Sequence, residues 1–333
     1  MFMPEIRIRL LALALPLPIL CTTGCGGGGT GIVKTPPPAI HTAYVIQISG
    51  STTSLLEFNA SANGSVAPSG TLVPPANLAL NRATTDNLGN IYLQGVVTGV
   101  AHTGEIAVYP PGSTGSATPA RVLTGPLTLL TSPLSMAVDA TGQMYITDND
   151  DNAVLIFAPG ATGNVAPVRQ IANTGGFGIA VDTGGNVYVA PFPGDQGVVV
   201  YGPTASGNAT PIRTISGTAT TLGVILQIAV DSNANLYVAN AGNASIDVFA
   251  PGANGNVAPT RVIAGSATTL ANAMGVAVDS TGAIYVCDVA DTGMDTGPSV
   301  DVFAPGANGN AAPQSRFTST QWTQTDDASF ALY

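Results

Sequence analysis

Histidine occurs only twice in this chain of 333 residues, tryptophan once and cysteine three times, and only 8% of residues are charged. Each scarcity excludes something. His41 and His102 alone cannot build a multi-histidine zinc centre. Cys21, Cys25 and Cys287 do not make a disulfide framework, and Cys287 reads as a small buried hydrophobe. No Gly-x-Ser-x-Gly elbow is present, and no nucleophile–histidine pair can be singled out. Basic residues number 9 against 19 acidic ones, for a net charge of −10, and an acidic chain without a basic patch argues against nucleic acid and anionic membrane surfaces as partners. The apolar run from Leu10 to Leu20 contains two prolines and is too short to cross a bilayer. Glycine (40) and proline (25) are abundant instead, and because they recur with a period they read as turns rather than low complexity.

The N-terminus has the layout of a processed leader. Arg7 and Arg9 precede the apolar run, and Thr22-Thr23-Gly24-Cys25 follows it. Small residues before Cys25 and the glycines at 26–29 resemble the lipobox and tether of bacterial lipoproteins, with Thr22 standing where that motif prefers leucine. The resemblance implies a leader over residues 1–24, lipid on Cys25, and a Gly/Pro-rich tether over residues 25–42. Fully extended, residues 26–42 would hold a domain at most roughly 55 to 60 Å from the anchor. Glycine rather than aspartate after Cys25 favours an outer-membrane address over inner-membrane retention, with plain secretion as the alternative. Arg7, Arg9 and Glu5 leave with the leader, so the mature chain keeps 7 basic and 18 acidic side chains.

Residues 43–333 repeat one unit. A tyrosine flanked by apolar residues recurs at Tyr44, Tyr92, Tyr145, Tyr188, Tyr237 and Tyr285, at intervals of 48, 53, 43, 49 and 48. A second aromatic follows in each copy, at Phe58, Tyr109, Phe157, Tyr201, Phe249 and Phe303. Four short strands fit between the turns of each unit, and periods of 40 to 50 residues with four strands predict propeller blades. The first copy starts at Ala43-Tyr44-Val45-Ile46 without the apolar-Ala-Val-Asp strand that opens the others, while Ser329-Phe330-Ala331-Leu332-Tyr333 supplies that pattern at the far end. The expected fold is therefore an all-β, six-bladed β-propeller closed by a C-terminal strand in the first blade. The sequence Val276-Ala277-Val278-Asp279 with Gly282 and Tyr285, and its counterpart Met136-Ala137-Val138-Asp139 with Gly142 and Tyr145, resembles the NHL repeat. That resemblance implies the propeller fold but little about activity, since NHL-like propellers include lyases, lactonases, receptor sensors and interaction scaffolds.

Two sets of polar residues recur with the unit. Asp86, Asp139, Asp182, Asp231 and Asp279 close the first strand, where each is expected to cap the following turn. Arg121, Arg169, Arg213, Arg261 and Arg316 open the fourth strand and are expected to bridge to a neighbouring strand or carboxylate. A group repeated five times around a ring is architecture rather than catalysis. Function is expected where the repeats differ. The span between the two aromatics is 14, 17, 12, 13, 12 and 18 residues in turn, so the loops of the second and sixth blades are the long ones. They contribute His102 and Asp288, Asp291 and Asp295, and the third blade adds Asp148, Asp150 and Asp151. These residues form the expected ligand-binding rim. Carboxylates on glycine-rich loops suit a hard cation such as Ca2+, but no stretch matches a known calcium loop, and solvated loop tips are the favoured reading of them.

The expected function is a cell-envelope scaffold that binds a protein or a small-molecule or carbohydrate ligand. It would act as a monomer and touch the membrane through its lipid anchor alone. The alternative is a divalent-cation-dependent lactonase or lyase acting at the channel mouth.

Overall fold

Strands such as Leu236–Asn240 and Ile284–Asp288 are buried at every position, and a strand covered on both faces needs a layer packed on each side. The computed structural model describes residues 42–49, 52–191, 197–289, 298–322 and 330–332. Within them, six antiparallel sheets follow one another along the chain, and the protein is an all-β six-bladed β-propeller. The leader, Cys25 and residues 26–41 of the tether lie outside the described residues, as do Asp291 and Asp295, whereas Thr42, expected to end the tether, opens the first strand.

The second blade comprises Leu78–Thr85, Ile91–Val97, Gly104–Tyr109 and Arg121–Thr124. The third is built from Pro133–Val138, Met144–Asp148, Ala153–Phe157 and Arg169–Ala172. The fourth to sixth repeat this order and begin at Gly176–Val181, Ile225–Val230 and Ala273–Val278. In the first blade, Thr42–Ser49 pairs with Thr52–Asn59 on one side and with Phe330–Leu332 on the other, Val45 lying opposite Phe330. Phe330–Leu332 also contacts the innermost strands of the second and sixth blades, and Thr85 Oγ1 donates to the Leu332 carbonyl at 2.8 Å.

The core lies between blades rather than within them. Tyr237, Val248 and Ile263 of the fifth blade pack on Val276, Ile284 and Phe303 of the sixth. Ala43, Val45 and Phe58 pack on Tyr285, Cys287 and Trp322. Each blade thus supplies one wall of two cores.

A second set of contacts ties the blades at their outer edge. The Gly of each Ala-x-Gly or equivalent segment forms a parallel bridge to the fourth strand of the preceding blade: Gly115 with Leu72, Gly163 with Leu123, Gly207 with Ile171, Gly255 with Ile215 and Gly309 with Ile263. Gly64 pairs in the same sense with Phe317, joining the first blade to the sixth. At the fourth-to-fifth junction, the Gly255 amide donates to Thr214 O at 2.6 Å, and Ser216 N donates to Gly255 O at 3.2 Å. The following asparagine locks the connection between blades. Asn164, Asn256 and Asn310 each accept, through Oδ1, the amide of Leu127, Ala219 and Ala267 respectively. The Ala-Pro-Gly-Ala-x-Gly-Asn segment is therefore a joint.

One expected equivalence is corrected by the strand register. Arg121, Arg169, Arg213 and Arg261 lie opposite Val108, Ile156, Val200 and Val248. In the sixth blade Ser315 takes that place, opposite Val302, and Arg316 lies opposite Asp301. Ala-Pro-Gln-Ser-Arg is one residue longer than Ala-Pro-x-Arg, so Arg316 emerges on the other side of its sheet.

The joint makes a coupling prediction. Gly217 has φ +113, and a Cβ there would lie 2.6 Å from Asn256 Oδ1. Gly217→Ala should destabilise the fold, and its cost in urea titrations should fall measurably in an Asn256→Ala background, leaving backbone strain of about 1 kcal/mol. Strictly additive costs would contradict the joint.

Candidate functional site: the loop-bearing face

The two ends of the propeller use their polar residues differently. At the end where first strands finish, each repeated aspartate caps its turn as expected. Asp182 Oδ1 accepts the amides of Gly184 and Asn186, both at 2.9 Å, and its Oδ2 accepts the Tyr188 hydroxyl at 3.1 Å. Asp86, Asp139, Asp231 and Asp279 repeat the arrangement with Tyr92, Tyr145, Tyr237 and Tyr285. The tyrosine hydroxyl then accepts an arginine: Arg213 to Tyr188 at 3.0 Å, Arg261 to Tyr237 at 3.1 Å, and Arg121 to Tyr92 at 3.4 Å. Three arginines cross into the next blade, where Arg121, Arg169 and Arg261 donate to the carbonyls of Ala161, Ala205 and Ala307. The tyrosine stands between the aspartate and the arginine. Burial, reinforced by the adjacent carboxylate, pushes Tyr145 and Tyr285 up to about 12. At Asp139 burial acts to raise the pKa, but bonds from Thr141, the Gln143 amide and Tyr145 outweigh it and leave the carboxyl below its ordinary value.

The opposite end carries the loops between second and third strands and the connections between blades. The structure divides the expected rim residues into two kinds. His102 and Asp150, from neighbouring blades, meet at 3.0 Å with side chains 73% and 40% exposed, and Asp151 is exposed beside them. Asp151 is held above its usual range by partial burial, and then by Asp148 and Asp150. Asp148 and Asp288, in contrast, are buried caps within the fold. Asp148 accepts the Thr131 and Ser132 amides and the Thr131 hydroxyl. Asp288 accepts the amides of Ala271 and Asn272. Asn240 does the same for Gly223 in the fifth blade, so this is a repeated joint rather than a loop feature.

The face is uneven. Counted from the repeated tyrosine, Thr42–Ser49 and Ile91–Val97 run two residues further toward it than Met144–Asp148 or Ile284–Asp288. At about 3.3 Å per residue, those two strands run roughly 7 Å further in this direction than Met144–Asp148 and Ile284–Asp288. Around this lip lie exposed aliphatic side chains: Val73, Val100, Leu127 and Leu129 are 41%, 53%, 58% and 41% exposed. Below it the channel is crossed by Arg82, whose Nη2 donates to Leu226 O on the opposing blade at 3.3 Å.

Buried polar groups inside the blades were not anticipated. Asp247 and Asp301 occupy the same third-strand position in Ser245–Phe249 and Ser299–Phe303. Asp247 accepts Asn240 Nδ2 and Ser245 Oγ. Asp301 accepts Ser299 Oγ at 2.8 Å and Thr269 Oγ1 at 3.2 Å, and Arg316 approaches it at 3.6 Å. Burial outweighs Arg316 and, with Asp288 nearby, raises Asp301 to about 6. Glu105 is also raised, by burial, and Gln94 is fully enclosed. The available signal was a carboxylate or amide inside an otherwise apolar strand. Among the described residues, no group of three or more histidine, cysteine, aspartate or glutamate side chains is placed to hold a metal ion.

No family model matches the chain, and no curated protein matches it. Solved structures resemble it in fold. A chain of the nidogen/laminin complex superposes with a TM-score of 0.58 at 13% identity, covering 87% of this chain and 98% of that one. A Bacteroides caccae protein of unknown function gives 0.62 at 10% identity, over 88% and 99%. A candidate 6-phosphogluconolactonase of Bacteroides uniformis gives 0.53 at 11% identity, over 83% and 82%.

Asp301 yields a pH test. A carboxyl with a raised folded pKa favours the folded state while it is protonated, so that contribution is present at low pH and is lost as pH rises through about 6. Asp301→Asn should therefore gain in melting temperature relative to the parent as pH climbs from about 4 to about 7. A difference that stays constant over that range would contradict the assignment.

Proposed function

We propose that this protein is an exported, lipid-anchored binding scaffold of the cell envelope, with NHL-type repeats, a ring closed by Phe330–Leu332, and a working surface on the loop-bearing face. The observation that carries the reading is the division of labour between the two ends. The repeated aspartates, tyrosines and arginines are engaged in turns and joints. The face where the repeats differ presents a raised lip with exposed aliphatic residues and the His102–Asp150 pair. Insertions gathered on one face of a repeat protein commonly mark the surface it binds with. Pairing of Ala43 with Leu332 and of Val45 with Phe330 supports the closure. Lipid on Cys25 would fix the scaffold to a membrane, and Gly26 after it favours the outer one.

A divalent-cation-dependent lactonase or lyase is the second reading, favoured by the approach of His102 to Asp150 beside Asp151. Calcium separates the two. A cation held at 100 times its dissociation constant would stabilise the fold by about 2.7 kcal/mol, whereas the scaffold reading expects an unchanged melting point across millimolar calcium.

The direct test is site-specific photo-crosslinking in intact envelopes. A photoreactive residue at Leu127 should yield a discrete adduct that one at Ile212, on the opposite face, does not. Equal labelling from both positions, or none from Leu127, would overturn the reading.

A further inference from the structure

Resting on the scaffold reading, we infer that the lip of the second blade docks a polypeptide segment in which basic and aliphatic side chains are interspersed. Three observations point there.

The first is apolar surface held on a braced frame, although exposed aliphatic side chains also occur at the opposite end, where Leu88, Val165, Val168 and Ile212 stand on turns. Val100 sits at the crest of the loop over residues 98–103. Leu127 and Leu129 flank it on the connection to the third blade, and Val73 lies on the connection from the first. Loop and connection are held together. The Gly104 amide donates to Leu130 O at 2.8 Å, Thr124 Oγ1 donates to Gly104 O at 2.9 Å, and Thr98 N donates to Asn77 O at 2.7 Å. Leu127 is pinned by its amide bond to Asn164 Oδ1 at 2.8 Å. The aliphatic groups are thus presented by a braced frame, which lowers the ordering cost of binding.

The second is charge. Asp150 and Asp151 lie on the adjoining loop, tied to this one by His102. The repeated cations are committed elsewhere: Arg121, Arg213 and Arg261 to tyrosine hydroxyls at the far end, Arg169 to Ala205 O, and Arg316 beside Asp301. In a chain of net charge −10, this end is left with exposed carboxylates next to apolar groups. The complementary surface is cationic and aliphatic, and charge of opposite sign also speeds encounter.

The third is shape. The second strand of the second blade runs about 7 Å further toward this face than that of the third, which makes a step between the two blades. A chain lying along it meets Val100 on one side and Asp150 with Asp151 on the other. A second copy of this acidic chain would bring carboxylate to carboxylate.

The test uses the full chain with a short blocked peptide of alternating leucine and lysine, followed by fluorescence anisotropy. Peptides with glutamate for lysine and serine for leucine serve as controls. The Leu/Lys peptide should bind, and its affinity should fall with salt. The Leu127→Ser/Leu129→Ser and Asp150→Asn/Asp151→Asn variants should each weaken binding by about tenfold or more, while Ile212→Ser should not change it. Val100→Ser provides a separate apolar variant should Leu127→Ser/Leu129→Ser melt early. Absence of binding, equal binding of the Leu/Glu peptide, or binding indifferent to the lip variants would overturn the inference. So would a concentration-dependent dimer abolished by Leu127→Ser/Leu129→Ser, which would assign the lip to self-association. A crosslink from Leu127 in envelopes without binding of the Leu/Lys peptide would remove the cationic segment and leave the scaffold standing.

Discussion

The structure depends on the fact that none of its sheets can stand alone. A four-stranded sheet of short strands apolar on both faces exposes too much surface until a neighbour covers it. Two independent contacts supply that neighbour at every junction. Between the faces of adjacent sheets, aliphatic and aromatic side chains interdigitate, as Tyr237 and Val248 do with Val276 and Phe303. At the perimeter, a glycine in the left-handed region brings its backbone against the preceding blade, as Gly255 does with φ +75. The two act at different places, so together they resist both sliding and hinging of one blade on the next. The Asp–Tyr–Arg chains add a third tie, carrying polar groups through the partly buried end without leaving them unpaired.

This arrangement explains why a sequence with so few charges has so many in fixed positions. Arg261 donates to Tyr237 and to the Ala307 carbonyl of the next blade, and its guanidinium lies 5.5 Å from the tyrosine ring centroid. A planar cation with several donors can serve all three contacts at once, which lysine could not. Asp148 and Asp288 are spent similarly, each gathering backbone amides where the chain enters a new blade. What is left for binding is the part of the loop-bearing face that does not repeat.

The blade count, the role of the repeated aspartates and the location of variation were legible in the sequence, because each rests on local rules. Tyrosines near every forty-eighth residue mark second strands, and Asp-x-x-Gly marks a turn whatever surrounds it. The missing parts were those that depend on register or on contacts between blades. Arg316 looked equivalent to its four predecessors until the extra residue in Ala-Pro-Gln-Ser-Arg turned it toward Asp301. Asp148 and Asp150 are two residues apart, yet one is a buried cap and the other an exposed partner of His102. Alternation along a strand would put both on the same side; they differ because the strand ends at Asp148 and Asp150 lies in the turn beyond it, and where that strand ends is not written in the composition. The Ala-Pro-Gly-Ala-x-Gly-Asn segment was visible as a repeat but mute as to purpose, since its partners lie about forty residues away.

The central claim is that the perimeter glycines are structural joints and not surface turns. Hydrogen exchange resolved to single residues tests it directly. The amides of Gly115, Gly163, Gly207, Gly255 and Gly309, each bonded to the preceding blade, should exchange as slowly as amides within the third strands. Exchange at the rate of open turns, with the third-strand amides still protected, would contradict the account.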